Sequence, residues 1–233
     1  LFGVIISLLL ASWLCDKFGR RWPIFAGSCS ILLGTILQTA SQNFGMFIAA
    51  RWFIGFGLGL LQVCSTMLLS EVSYPAHRGK ITAIFEPTWP LGALVAAWIT
   101  FGTFKIQSTW AWRLPSLLQC VTSLFQGCVV LFAPESPRWL VSKNRHKEAV
   151  EILIKYHCGG DRDSPLARFE LAEIHASLEA EKAQRAVSWL EFGRTSGNRR
   201  RLYIACTAGF CLQWAGNGLV SYFLPLVLDN IGI

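Results

Sequence analysis

Six long runs of apolar residues, separated by polar or charged connections, constrain this chain more than any other feature of its sequence. The runs occupy residues 1–14, 22–40, 46–69, 81–102, 114–132 and 202–228. A helix of about 20 apolar residues spans the roughly 30 Å hydrocarbon core of a lipid bilayer. The sequence therefore predicts an all-α, polytopic membrane protein.

The low charge content agrees with this prediction. Only 15% of the residues are charged, whereas soluble domains carry about 25%. The net charge of +7 could suggest a nucleic-acid partner, but most of the cations fall in three clusters on alternate connections between apolar runs. We therefore expect the protein to lie in a lipid bilayer and not to bind nucleic acid.

The first apolar run is too short to cross a bilayer. At about 1.5 Å per residue, residues 1–14 reach roughly 21 Å, less than the core thickness of about 30 Å. We expect the sequence to be a fragment that begins inside a helix.

The distribution of lysine and arginine predicts the orientation. Residues 16–21 contain three cations and 142–201 are dense in them, 71–80 contain Arg78 and Lys80, 103–113 contain only Lys105 and Arg113, and 41–45 and the tail after residue 228 contain none. Cytoplasmic loops carry an excess of lysine and arginine, so the cation-rich connections are expected to be cytoplasmic.

Several motifs occur in a characteristic order along the chain. They are D-x-x-G-R-R at 16–21, R-W-F-I-G-F-G at 51–57, Glu71 seven residues before Arg78-Gly79, P-E-S-P-R-W-L at 134–140 and Q-W-A-G-N at 213–217. Together they resemble the sugar porter family of the major facilitator superfamily. Residues 110–115 and 213–225 look similar to the fungal hexose and lactose permease branch of that family.

This resemblance implies a fold of twelve helices in two halves around a central sugar site, working by alternating access. The chain would supply the second to seventh helices. Residues 1–132 would be an incomplete N-terminal bundle, 133–201 a cytoplasmic linker with short amphipathic helices, and 202–233 the first helix of the C-terminal bundle. The resemblance also implies the plasma membrane as the location.

A cytoplasmic gate is expected from charges that the predicted topology places at one membrane face. Such a cluster would hold helix ends together in one state and release them in the other. Gly19 would permit a close backbone approach. The alternative is a set of solvated charges that only orient the helices. The gate residues are Asp16, Gly19, Arg20, Arg21, Glu71, Arg78, Glu135 and Arg138.

Arg51 lies inside an apolar run, where a charge needs a partner or a water-filled cavity. In proton-coupled members of the family the matching arginine works with an aspartate of the first helix. The resemblance therefore makes Arg51 a candidate for proton coupling.

Glu86 departs from the family pattern, which has glutamine or asparagine at the matching position. A carboxylate can accept bonds from two sugar hydroxyls and can also carry a proton, so we expect Glu86 to contact substrate and to be a candidate for proton coupling. The alternative is a hydrated acid beside a kink made by Pro87 and Pro90.

The last apolar run supplies further candidates for sugar binding. The family pattern is Q-Q-x-x-G-x-N, and here Gln213 matches its second glutamine, while Asn217 lies one position early, about 100° around a helix. Tyr222 matches an aromatic residue that covers the site, and Trp89 is a further candidate. Polar packing between helices would explain Gln213 and Asn217 equally.

The cysteines and histidines predict no metal site. The eight cysteines contain no C-x-x-C pair, and most lie inside apolar runs as expected core-facing residues. His77, His146, His157 and His175 lie in predicted cytoplasmic segments and are expected on the solvated surface. We expect no catalytic residues, no metal, no cofactor and no obligate protein partner.

The expected function is transport of a hexose or disaccharide, in symport with protons. Two alternatives stay open: transport of a non-sugar polyol or cyclic acid such as quinate, and a receptor of the same fold that binds sugar without moving it. An enzyme is disfavoured because no nucleophile–base pair or phosphate loop is present.

Overall fold

The computed structural model describes residues 2–85, 87–162, 164–184 and 195–214; within the helices, the side chains of residues 182–184, 212 and 213 lie outside this description. Over the described residues the secondary structure is helical and contains no strand. The chain divides into two compact units, residues 1–175 and 176–233.

Most of the apolar runs form helices close to the predicted bounds. The first five runs form α1 (Phe2–Phe18), α2 (Arg21–Thr39), α3 (Phe44–Val72), the short α4 (Arg78–Phe85), α5 (Thr88–Phe104) and α6 (Trp110–Phe132). The polar segment forms α7 (Pro137–Ser142), α8 (His146–His157) and α9 (Pro165–Gln184), and the last described helix is α10 (Ser196–Trp214).

Two boundaries differ from the sequence-based expectation. The fourth run is divided into α4 and α5, with Pro87 immediately before α5, in agreement with a proline that removes a backbone donor. Glu71 was expected in a loop, but α3 continues through it to Val72. Ser73 caps the end of this helix, because its backbone N–H and its hydroxyl both donate to the carbonyl of Leu69.

Three helices of the described residues are long and apolar enough to cross a membrane: α2, α3 and α6. The apolar helices α1 and α5 contain 17 residues each, which corresponds to about 26 Å. Many large apolar side chains of these helices are exposed, among them Trp98, Phe101 and Phe125. Such a surface suits lipid rather than water as its surroundings.

The helix α3 is the centre of the first unit. It packs along both α1 and α2, α2 also packs on α6, and α5 lies against α6. The buried core between them is made of small or branched residues, including Ala11, Cys15, Ile31, Leu60 and Cys64. Cysteines at this core fulfil the core-facing prediction, but Cys128, Cys206 and Cys211 are exposed, so the prediction is wrong for those three.

Glycines allow α2 and α3 to approach closely. A Cβ atom added to Gly57 would lie 2.5 Å from the carbonyl oxygen of Gly27 and 2.6 Å from Cγ1 of Ile31. Small residues at such positions replace side-chain burial with direct backbone contact, which is a common way to pack helices in lipid. The α2–α3 contact therefore depends on the absence of a side chain at Gly57.

We expect Gly57→Ala to destabilise the protein by about 1–3 kcal/mol, because the added methyl group forces α2 and α3 apart. The measurement is the free energy of unfolding in detergent micelles. The matched control is Gly102→Ala, since nothing lies within 4 Å of a Cβ at Gly102 and alanine is the better helix former. Equal stability of the two variants would contradict the close contact.

Candidate functional site

Charged residues from the ends of several helices meet at one end of the first unit. Arg20, in the turn between α1 and α2, is 6% exposed. Its Nε and Nη2 atoms donate to Oε2 and Oε1 of Glu71 at 2.8 and 3.0 Å. This two-point pairing is the strong geometry for arginine and a carboxylate, and it joins the start of α2 to the last turn of α3.

The same guanidinium also contacts the end of α1. Its Nη1 atom donates to the backbone carbonyl of Cys15 at 3.1 Å. The last carbonyls of a helix have no partner inside the helix and carry partial negative charge, so a cation is favourable there. Arg20 therefore contacts the C-terminal end of α1 through a backbone carbonyl and that of α3 through the carboxylate of Glu71.

Glu135 occupies the opposite kind of helix end. Its Oε1 atom accepts from the backbone N–H groups of Arg20 and Ser136 at 2.9 and 3.0 Å, and its Oε2 atom accepts from the N–H of Arg21 at 3.4 Å. The free N–H groups at the start of a helix bind anions well. The carboxylate of Glu135 thus holds the start of α2 against the segment before α7.

Gly19 makes room for this carboxylate. Its φ angle is +91°, a region that residues with a Cβ atom rarely adopt. A Cβ atom there would also lie 2.5 Å from Oε2 of Glu135. The glycine of the first motif is therefore required by both its backbone angle and the carboxylate next to it. We call Gly19, Arg20, Arg21, Glu71 and Glu135 the charge cluster.

The helix α7 is fixed beside the charge cluster. Ser136 caps α7 by accepting from the backbone N–H of Trp139 at 3.2 Å, and Pro137 follows in the first turn. The indole Nε1 of Trp139 donates to the backbone carbonyl of Asp16 at 3.2 Å. The side chain of Arg21 donates to the backbone carbonyls of Val130, at 3.2 Å, and Leu131. Trp139 thereby joins α7 to the end of α1, and Arg21 joins the start of α2 to the end of α6.

Most of the predicted gate residues lie together. The charge cluster includes five of them, Asp16 lies at the end of α1, and Arg138 is half-buried in the first turn of α7. Arg78 differs, because it is exposed at the start of α4 and no ion pair from it to the cluster is found among the described residues. The predicted pairing of Arg78 is therefore absent here, since α4 begins beyond the turn that follows α3.

Arg51 and Trp89 are described but lie away from the charge cluster. Arg51 borders a cavity of about 910 Å³ between α2, α3, α5 and α6, and its guanidinium carbon lies 5.2 Å from the ring centroid of Phe47. The cavity fits the expectation that a charge in an apolar run needs more than lipid around it. Trp89 is 71% exposed in the first turn of α5.

The other substrate candidates are outside the described part of the chain. Glu86, Asn217 and Tyr222 lie outside the described residues, and Gln213 lies in the last turn of α10, where its side chain is not described. Their sugar-binding roles stay predictions. No group of three or more histidine, cysteine or acidic side chains placed to hold a metal occurs among the residues that the structure describes.

One buried site was missed by the sequence reasoning. His157 was expected on the solvated surface, but its side chain is only 5% exposed, so that expectation is wrong. Its ring contacts Glu170 of α9 and the last residue of α3, Val72. No local sequence signal could reveal this contact, because Val72 precedes His157 by 85 residues.

The chain is similar to known transporters over nearly its whole length. The family described as Sugar (and other) transporter matches residues 1–233. The MFS-type transporter criB of Aspergillus cristatus is 30% identical over 232 residues, which are 99% of this chain and 50% of that protein. The arabinose-proton symporter of Escherichia coli K12 is 28% identical over 232 residues, 100% of this chain and 47% of that protein.

A solved structure shows the fold. The major facilitator superfamily proton:xylose symporter XylE, bound to 6-bromo-6-deoxy-D-glucose, is 23% identical, has a TM-score of 0.77, and aligns over 99% of this chain and 51% of that chain. The predicted all-α fold of this superfamily is confirmed. The chain spans about half the length of the curated relatives that it matches.

We expect a double-mutant cycle of Arg20→Lys and Glu71→Gln to give a coupling energy of about 1–3 kcal/mol in the free energy of unfolding. Lysine keeps the charge but loses the fork that makes two parallel bonds. The matched cycle of Arg78→Lys with Glu71→Gln should give less than about 0.5 kcal/mol. Similar coupling in both cycles would mean that the Arg20–Glu71 geometry has no special role in stability.

Proposed function

Because the chain belongs to the sugar (and other) transporter family, we propose that the whole protein carries a sugar, a hexose or a disaccharide, across a membrane by alternating access in symport with protons. The observation that supports this most directly is the buried charge cluster at one end of the bundle. Alternating access requires contacts at one membrane face that form in one state and break in the other. A two-point ion pair between helix ends is such a contact.

The charge cluster is proposed to be part of the gate. Arg20 joins the ends of α1 and α3, and Glu135 joins the start of α2 to the segment before α7. The side chains of Arg20 and Glu71 are 8% and 13% exposed, so they are shielded enough to be worth more than a surface pair. Breaking them requires water to enter. Breaking the pair is expected to change the free-energy difference between the closed and open states of the gate by about a few kcal/mol, which is the size of change that a conformational switch needs.

The proposal includes the orientation. We propose that the charge cluster and the segment that carries α7, α8 and α9 lie on the cytoplasmic side of the plasma membrane. The support is the positive-inside pattern, with Arg20 and Arg21 at one end of the bundle and the three arginines at 199–201 near the start of α10. The family itself is one of multi-pass membrane proteins.

The sugar-binding residues are proposed to belong to two stretches of the sequence, residues 86–89 and residues 213–222. Glu86 and Trp89 flank Pro87 at the first of these places, and Gln213, Asn217 and Tyr222 belong to the second. Carboxylate and amide groups supply the paired acceptors and donors that sugar hydroxyls need. The exposed ring of Trp89 offers an apolar face against which a sugar ring could pack.

Proton coupling is proposed from Arg51 and Glu86. Arg51 borders the 910 Å³ cavity, and relatives of this chain include arabinose-proton and galactose-proton symporters. A cation beside a carboxylate favours its charged form, and the carboxyl group of Glu86 can itself carry a proton. Transport of a polyol or cyclic acid and sugar sensing without transport remain the alternatives, and uptake measurements separate them.

We expect the whole protein to restore uptake of at least one radiolabelled hexose or disaccharide in a host that lacks hexose transport. A protonophore should then lower the accumulated sugar to the external concentration, since a symporter depends on the proton gradient. Equal accumulation of sugar with and without the protonophore would contradict proton symport. Binding of sugar without any uptake would favour the receptor, and uptake of quinate alone would favour the cyclic-acid transporter.

We expect Glu86→Gln to lower the rate of sugar uptake at least about tenfold at a saturating sugar concentration, or to remove the dependence of this rate on pH. Glutamine keeps the shape of the side chain but cannot carry a proton. A tenfold effect corresponds to about 1.4 kcal/mol. The matched control is Glu151→Gln on the exposed side of α8, which should leave uptake unchanged. An unaltered rate and pH profile in Glu86→Gln would remove Glu86 from the mechanism.

A further inference from the structure

The imidazole of His157 lies where three helices meet. His157 is the last residue of α8. Its Nδ1 atom lies 2.6 Å from Oε2 of Glu170 in α9, and its Nε2 atom lies 3.0 Å from the backbone carbonyl oxygen of Val72, the last residue of α3. The side chains of His157 and Glu170 are 5% and 7% exposed. Both ring nitrogens are thus used inside the protein.

Both of these contacts can be made only if the pair holds a proton beyond that of a neutral imidazole and an ionised carboxylate. A backbone carbonyl only accepts, so Nε2 must carry a hydrogen atom. The contact between Nδ1 and Glu170 then needs a second hydrogen atom, either on the imidazole or on the carboxyl group. The total is the same in both cases, and the proton belongs to the pair of groups.

The surroundings of the pair make the loss of this proton costly. The other carboxylate oxygen of Glu170, Oε1, is buried and has no hydrogen-bond partner among the described residues. A buried carboxylate without an imidazolium next to it would be a poorly compensated charge. The carbonyl of Val72 lies at the negative end of α3, which also favours a cation.

The titratable groups around His157 come from each neighbouring segment. Glu170 faces it from α9, and the ring of Tyr74, after α3, packs on it edge-on with 5.7 Å between ring centroids. The ring centroid of His77 lies 5.9 Å from that of Tyr74. Cys158 directly follows His157 in the chain. Glu71, the acid closest in sequence to Val72, is paired with Arg20.

This site holds the same helix end as the charge cluster. Val72 directly follows Glu71, whose two oxygens accept from Arg20. The helix α8 also packs on α7, which begins next to Glu135. The end of α3 is therefore held by two separate contacts, one to Arg20 between α1 and α2 and one to His157 of α8, and the second depends on a proton.

We propose that His157 and Glu170 form a proton-binding site outside the membrane-spanning helices, which clasps α8 and the start of α9 to the end of α3. The clasped state holds one more proton than an open state with a neutral imidazole and an ionised carboxylate. Raising the pH therefore favours the open state. The effect of the clasp on transport rests on the function proposed above, as a brake on the gate when the cytoplasm is acidic.

Hydrogen–deuterium exchange of the whole protein in lipid nanodiscs measures the clasp directly. One bound proton changes the opening equilibrium by at most tenfold per pH unit. After correction for the intrinsic exchange rate, we expect protection of the peptide that covers residues 150–158 to fall about ten- to a hundredfold between pH 6 and pH 8. Unchanged protection over this range would overturn the proposal.

Two variants assign the effect to the pair. His157→Gln and Glu170→Gln should each reduce the pH response to less than about twofold, the second because a glutamine amide can donate to a neutral imidazole without an extra proton. Glu173→Gln, at an exposed position of the same helix α9, is the matched control and should keep the response of the natural protein. A pH response that survives in both pair variants would place the proton elsewhere and overturn the site.

The exchange measurement needs no sugar and no transport. Failure of sugar uptake would therefore overturn the proposed function and leave the clasp intact. A flat exchange profile would overturn the clasp and leave the proposed function intact.

Discussion

The guanidinium of Arg20 is the interaction on which this end of the protein depends. It pairs with Glu71 through two bonds and donates a third to the carbonyl of Cys15, while its backbone N–H donates to Glu135. One residue thereby connects four segments of the chain. Because the side chain is buried, each connection is formed in a medium that weakens charges little. Loss of Glu71 would leave the buried cation without its counter-charge.

Close helix packing makes this end behave as a unit. The helix α3 is in contact with α1 and α2 over much of its length, and the approach is close because positions such as Gly57 carry no side chain. A bundle packed backbone to backbone deforms little. Movement of the charge cluster would therefore shift whole helices rather than bend them locally, as the proposed alternating access requires.

The proposed function and the proposed clasp use one helix end in different ways. Glu71 faces a permanent cation, because arginine stays charged at every physiological pH. Val72, the next residue, contacts an imidazole that is hydrogen-bonded through its other ring nitrogen to the carboxyl group of Glu170. The first contact can respond only to movement, whereas the second can respond to proton concentration without movement. Their adjacency offers a direct physical route by which pH could influence the gate.

The sequence by itself determined the helices and the family, because apolar runs of spanning length and the order of motifs such as 16–21 and 134–140 are local properties. It also grouped most of the gate charges by topology. Only the tertiary structure decided which charged groups are in contact. Glu71 pairs with Arg20, Arg78 lies outside the charge cluster, and His157 is buried against Val72. Those outcomes depend on distances between residues far apart in the chain, which helical periodicity does not encode.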